Sequence, residues 1–416
     1  MTYLEGINSL SEDAPTMSKT HSVPAPFPAP LYPARYGIVD AFRGCAALAV
    51  VLAHLQIGED TSSGGTVNLH RAAFPFGYEA VLIFFVISGY CIAASAQNCL
   101  QRGFAFRDFM WRRIRRIYPP YLCAIAFWAL SRYIKYRVGG EWTLDRSATD
   151  WLQNITLTQW ISLLWDPINN PAGNPKLFVA AFWSLCYEEQ FYIVMAGLLA
   201  LSSRFPKVVL HGSIALAIAG IAWGAVFPTQ KYGIFIEYWA AFATGLLAYH
   251  RLCTVESLIV RRVIDFSLLL LTVASALIAW GLQIDWGPRT PSNDAFVLSW
   301  SSLTVASAMA LVLIVLRPLD VRYLAFRPLS IPLMGLAAIS YSLYLTHQFC
   351  LALATGTTRR VLDFLHLPTE GPLLWTGHVV VLLIVATIFW YFCERPFLNT
   401  KRLTPSTSRE LKSTQS

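Results

Sequence analysis

Apolar runs of roughly 20 residues, separated by polar stretches, set the pattern of this chain. Ten of them can be drawn, at about 36–57, 76–97, 118–136, 179–200, 207–227, 232–250, 263–283, 296–316, 331–354 and 373–393. A helix of about 20 residues is as long as the hydrocarbon core of a bilayer is thick, so each run predicts a membrane-spanning helix. The fold class expected is all-α, a polytopic membrane bundle of about ten helices. Three parts follow along the chain: a leader over 1–35, a membrane domain over 36–398 and a polar tail over 399–416. The leader is polar and rich in Pro, Ser and Ala, which reads as a disordered tail rather than a signal peptide.

Composition agrees with the pattern. A chain of 416 residues that is 55% hydrophobic and 13% charged, with a mean hydropathy of +0.48, is not an ordinary soluble domain. With a cytoplasmic N-terminus, 21 Lys and Arg fall on inner segments, 8 on outer segments and 3 inside spans. That bias predicts that both termini are cytoplasmic. The net charge of +8 then expresses topology, and no nucleic-acid partner is expected. Six cysteines fall in spans and two, Cys99 and Cys253, in inner loops, so no disulfide is expected. No cysteine pair has zinc-ligand spacing, and no metal is expected.

Ionisable residues inside apolar runs are costly and mark interiors or watered cavities. The first run carries Asp40, Arg43 and His54. Arg43 and His54 are separated by about 16 Å of helical rise and share a face, with Ala47 between them. Two readings are open: a polar pathway, or an Asp40–Arg43 boundary pair with His54 reaching the far interface. The second run holds Ser88-Gly89, a small-residue site that admits another backbone. Ahead of the third run stands the basic cluster Arg112, Arg113, Arg115 and Arg116, with Pro119-Pro120 expected to open the span. Such a cluster anchors anionic headgroups. Arg113 and Arg116 also project together, as bidentate capture of phosphate requires.

Two adjacent carboxylates, Glu188 and Glu189, lie deep in the fourth run, and Ser184 shares a face with Glu188. The ninth run places Ser340, Tyr344 and His347 on one face. Glu237, Asp265, His211 and the pair Glu394-Arg395 lie near span ends and read as boundary residues. In the outer loops, Glu59-Asp60 is either a solvated pair or a glycosyltransferase acid. Asp150 to Trp165 is expected to form an interfacial helix, whose aromatic rings could alternatively stack on a sugar. Asn154-Ile-Thr156 is a glycosylation sequon. Counting rise along each run puts His54, His347 and Glu188 within about 10 Å of one depth in the outer leaflet. Arg43, Arg113 and Arg116 fall at the inner side. One polar pathway is expected, with a cationic mouth inside and a His/Glu chamber outside.

Taken in order, these segments resemble the acyltransferase 3 family of membrane proteins. The stretches that carry the resemblance are Asp40-Ala-Phe-Arg-Gly44 with His54, Phe84-Phe-Val-Ile-Ser-Gly-Tyr90 and Arg112-Arg-Ile-Arg-Arg-Ile-Tyr-Pro119. They continue with Trp183-Ser-Leu-Cys-Tyr-Glu188, Ser340-Tyr-Ser-Leu-Tyr-Leu-Thr-His347 and Glu394-Arg-Pro-Phe397. Ala41 departs from the Gly usual there, and Phe349 stands where Pro is frequent. The resemblance implies transfer of an acyl group, commonly acetyl, from cytoplasmic acyl-CoA to a hydroxyl on a sugar, glycan or other small molecule. It also implies that Arg43, His54, Arg113 and Arg116 are essential.

On that reading the arginines hold the CoA phosphates, His54 acts as base or acyl carrier, and Glu188 or His347 orients it. Acyl-CoA is a substrate, and no permanently bound cofactor is expected. The partners are acyl-CoA, a carbohydrate or other hydroxyl-bearing acceptor, and the bilayer of a bacterial inner membrane or plasma membrane. A transporter that uses the buried charges as an ion or substrate pathway is the alternative from another class, and a glycosyltransferase is the third reading.

Overall fold

The structure is a computed structural model. It describes residues 36–55, 77–101, 106–140, 142, 144–165, 177–202, 204–205, 207–227, 233–284, 291–369 and 371–398. The leader, the tail and the Glu59-Asp60 loop lie outside the described residues. Among those described there are helices and no strands, so the chain is an all-α polytopic membrane bundle.

Helices stand at all ten expected positions. In chain order they are α1 (Gly37–Leu55), α2 (Gly77–Gln101), α3 (Phe106–Arg137), two short helices α4 (Ala148–Thr156) and α5 (Trp160–Trp165), and α6 (Trp183–Ser202). Then come α7 (Val208–Val226), α8 (Ile236–Cys253), α9 (Leu258–Ile284), α10 (Pro291–Leu316), a short α11 (Asp320–Ala325), α12 (Arg327–Phe364) and α13 (Pro372–Phe389). Seven of them are long and apolar enough to cross a membrane. The other three at expected positions, α3, α6 and α8, are diluted by the arginines, glutamates and histidine they carry.

α1 lies along α12, α12 along α13, and α2 along α8. Gly89 and Gly245 make the α2–α8 crossing reciprocal. A Cβ on Gly89 would fall 1.9 Å from the Phe242 carbonyl oxygen, and one on Gly245 would fall 1.8 Å from that of Val86. The small-residue reading of Ser88-Gly89 is thus met, with Phe242 as the approaching backbone. Replacing Gly89 with Leu must drive the two backbones apart. Gly89→Leu is expected to abolish recovery of monodisperse protein after solubilisation, since overpacking alone costs about 1–3 kcal/mol and here the obstacle is backbone. Gly197→Leu, whose Cβ would meet nothing within 4 Å, is expected to behave as wild type in the same chromatography.

Several local expectations are corrected. The prolines do not open the third span: α3 starts at Phe106 and carries Pro119 and Pro120 inside it. They leave the carbonyls of Arg115 and Arg116 without helical donors, yet the helix continues, because Tyr121, Ala124 and Trp128 bury its following turns. Asp150 to Trp165 is two helices, broken at Leu157 in the left-handed region with φ 55°. Trp151 is not free for a sugar: it meets Phe178 edge-on, and Phe178 stacks on Trp128 at 4.5 Å. The sequon asparagine is also structural. Asn154 is fully buried, donates to the Asp150 carbonyl at 2.8 Å and accepts from the Phe178 amide at 3.0 Å.

Glu237 does lie at the boundary, in the first turn of α8, but it is not solvated there. It is buried and accepts the Tyr187 hydroxyl proton at 2.5 Å. Asp265 does form a boundary pair, accepting two bonds from Arg251 at 2.8 and 2.9 Å.

Candidate active site

Four of the residues singled out by their cost in a membrane, Arg43, Arg113, Arg116 and Glu188, gather around one cavity of about 230 Å³, bounded by α1, α2, α3, α6, α12 and the segment after α13. Arg43 reaches it from α1, and Arg113 and Arg116 from α3. The i,i+3 spacing of the last two does bring them to one wall. Arg43 is held by Asp40 at 2.6 Å, so the boundary pair and the cavity wall are the same arginine. Its Nε is buried without a hydrogen-bond partner, and so is that of Arg113. The Arg113 guanidinium sits 5.5 Å from the ring centres of both Phe109 and Tyr192, which fixes its direction.

Glu188 and Glu189 part company. Glu188 lines the cavity, accepting a hydrogen bond from Ser88 at 2.5 Å and another from the Tyr192 hydroxyl. Glu189 turns toward α3 and accepts from Tyr118. Ser184 joins Glu188 on the cavity wall, as their shared face requires.

Glu394 corrects the expectation of a surface pair. The chain passes from α13 into a π-helical turn over Trp390–Glu394 and then a 3₁₀ turn over Arg395–Phe397. A π turn adds a residue per turn and re-aims side chains, a device frequent at functional sites. Here it brings Trp390 and Glu394 to the cavity wall, with Glu394 3% exposed and accepting from Ser342 at 2.5 Å. The signal available in the sequence was a carboxylate four residues after an indole at the end of an apolar run. The cavity therefore sets three guanidiniums against two carboxylates, each carboxylate already tied to a hydroxyl.

The histidines form a separate pair. His54 on α1 and His347 on α12 meet edge to face, with ring centres 4.9 Å apart. His54 points into the bundle, not toward lipid. Its Nδ1 lies 2.8 Å from the Val50 carbonyl oxygen, and Nδ1 of His347 lies 2.8 Å from that of Tyr344. A carbonyl only accepts, so each Nδ1 carries the hydrogen, and in the neutral form of either ring it is Nε2 that holds the free lone pair. Nε2 of His347 is buried without a partner.

Depth counting grouped Glu188 with these imidazoles, but its carboxylate belongs to the arginine cavity. The two groups meet through Tyr344. Its ring centre is 5.8 Å from that of His347, and its hydroxyl donates to the Ala181 carbonyl and accepts from Ser184 at 2.7 Å. Phe84 lies edge-on to the same ring at 5.8 Å. The cavity wall ends at Phe84, Ser184 and Tyr344, and the imidazoles lie beyond it. The continuous channel expected from the sequence is closed at this point by an aromatic ring.

Chemically, the arrangement offers forked cationic donors at one end and, at the other, two imidazoles whose Nδ1 atoms are each engaged by a backbone carbonyl. Among the described residues, no three His, Cys, Asp or Glu side chains are grouped to hold a metal.

Comparison with known proteins gives a consistent pattern. A family model described as an acyltransferase domain matches residues 36–395. Across 380 residues the chain is 26% identical to a Komagataeibacter xylinus protein named for membrane-bound transacylase activity, BcsY, covering 89% of this chain and 85% of that one. It is 28% identical over 178 residues to a Bacillus subtilis protein named for peptidoglycan O-acetyltransferase activity, YrhL, covering 40% of this chain and a quarter (25%) of that one. A Rhizobium radiobacter protein named only for its position in the picA locus is 31% identical over 195 residues, covering 45% of this chain and 95% of that one. No solved structure matches the chain.

Proposed function

This chain belongs to the acyltransferase 3 family and is a membrane-bound acyltransferase, and from that premise we propose that it moves an acyl group, acetyl in the simplest case, from cytoplasmic acyl-CoA to a hydroxyl of a sugar, glycan or other small acceptor. The observation that carries the choice of donor is the cavity itself. Arg43, Arg113 and Arg116 converge on it, and two of them hold buried Nε donors with no acceptor. Buried donors left unpaired are costly, so the site favours an anionic ligand, and forked guanidiniums suit phosphate. CoA offers phosphates at one end and a thioester at the end of a slender arm.

In this reading the phosphates lie against the arginines, with Arg112 and Arg115 adding positive charge at the mouth. The arm runs past Ser88, Ser184 and Ser340 toward Tyr344. The Tyr344 and Phe84 rings move aside, and the thioester carbonyl reaches the histidine pair. Nε2 of His54 takes the proton of the acceptor hydroxyl as its oxygen attacks the carbonyl carbon, and the CoA thiolate departs. His347 faces the imidazolium that forms and holds its orientation. Glu188, tied to Ser88 and Tyr192, fixes the α2–α6 wall along which the arm lies. Lys and Arg bias supports an inward-facing arginine mouth, and bacterial relatives support a bacterial inner membrane.

The test is direct. Purified protein incubated with acetyl-CoA labelled in the acetyl group, plus a panel of hydroxylated acceptors, is expected to release free CoA and to place label on one acceptor class. Protein that binds acetyl-CoA but never releases CoA with any acceptor would refute the donor assignment.

A further inference from the structure

A second cavity, of about 340 Å³, lies between α3, α12 and α13, apart from the arginine cavity. Its wall is almost all hydrocarbon, and Phe127, Leu130, Ile134 and Leu353, which line it, are exposed on the surface of the bundle. In a membrane protein such a groove faces lipid chains. By itself it has no reason to prefer one lipid over another.

The preference comes from charge at one end. Phe127, Leu130 and Ile134 form a stripe on α3, and the same helical spacing continues it to Arg137, about 4.5 Å further along the axis. On α12, Arg360 lies two turns beyond Leu353, about 10 Å along the axis and on the same side of the helix. Both helices run away from the Arg112–Arg116 cluster in this direction, so Arg137 and Arg360 both lie beyond the same end of the groove. Both are exposed, and neither takes part in an ion pair among the described residues. Arg137 donates to the Tyr133 hydroxyl at 3.2 Å, and among the described residues no ion pair joins Arg360 to Asp363, one turn further on. An apolar slot capped by two uncommitted guanidiniums is complementary to a molecule with a long chain and an anionic head.

We propose that this groove is a binding site for one anionic glycerophospholipid, with an acyl chain between α3, α12 and α13 and the phosphate between Arg137 and Arg360. The site is independent of the acyl-transfer chemistry and stands or falls without it.

The probe is phosphatidylglycerol. Full-length protein is reconstituted in phosphatidylcholine nanodiscs holding a minority of phosphatidylglycerol, extracted into mild detergent, and its retained lipid is counted by native mass spectrometry. One phosphatidylglycerol is expected to stay on each chain, in preference to phosphatidylcholine. A hydrogen bond between an exposed guanidinium and a phosphate contributes roughly fivefold in affinity, so the double substitution R137Q/R360Q should weaken retention by roughly 25-fold. Both side chains are exposed, so folding should be untouched. Leu353→Trp, which fills the groove, should also displace the lipid while leaving the arginines in place.

Equal retention of phosphatidylcholine, or undiminished retention in R137Q/R360Q, would overturn the proposal. Preferential retention of a polyprenyl phosphate added in competition would overturn it too, by assigning the groove to another occupant.

Discussion

His54→Ala is expected to abolish acyl transfer while leaving acyl-CoA affinity close to that of wild type. General-base catalysis contributes typically 10²–10⁴-fold, so the loss should reach at least that range in the rate of labelled acetyl transfer. Affinity should hold because His54 lies beyond Tyr344, outside the wall of the arginine cavity. His347→Ala provides the comparison. His347 is 1% exposed and faces His54 across a 4.9 Å ring contact, so its removal should slow transfer less than loss of the base itself. Transfer at the wild-type rate by His54→Ala would exclude that imidazole from the chemistry. Lost acyl-CoA affinity in the same variant would place the donor somewhere other than the arginine cavity.

The second large effect concerns the donor. Arg113→Ala with Arg116→Ala should weaken acyl-CoA binding by roughly 10²–10⁴-fold. A hydrogen bond to a charged group contributes about 1.5–3 kcal/mol, and two are removed. Lysine at both positions should restore only part of the affinity, because it keeps the charge without the planar fork. Arg113→Lys should be the poorer of the two, since the Arg113 guanidinium is also held against the rings of Phe109 and Tyr192. Calorimetric titration of detergent-solubilised protein with acetyl-CoA measures each value. Unchanged affinity in the double alanine variant would remove both arginines from the donor site. Enough CoA phosphate contact would then have to come from Arg43 and the exposed arginines near the mouth.

Most of the fold was legible because the bilayer imposes one length on every apolar run, and helices stand where the ten runs were drawn. The ends were less legible. Pro119 and Pro120 signal a helix start in solution, but packing of Tyr121 and Trp128 carries α3 straight through them. The same proline rule hid the fact that the arginine cluster and the third span are one helix.

For the site, the cost of charge in a membrane singled out Arg43, Arg113, Arg116, Glu188, His54 and His347; the first four line the cavity, Arg116 while remaining exposed, and the two histidines meet each other inside the bundle. Counting residues gave their depth but not their direction around each helix axis. Glu188 therefore counted as a neighbour of the histidines, whereas Ser88 and Tyr192 draw it to the arginines. Glu394 was missed because a regular helix would leave it at the interface. Only the π turn over Trp390–Glu394 carries it inside, and no periodicity in the sequence announces an extra residue per turn. The transporter alternative rested on buried charge and a ten-span layout, which ion pathways and enzymes share; the match of residues 36–395 to an acyltransferase domain separates them.

The Tyr344 ring, fastened by Ser184 and the Ala181 carbonyl, has a further effect on how the enzyme lives with its donor. With acyl-CoA as the proposed donor and His54 as the proposed base, a thioester on the near side of that ring would be shielded from the imidazole that could otherwise activate a stray water. Slow loss of the donor in the absence of acceptor is the expected consequence, so that acyl groups are spent only once an acceptor has arrived.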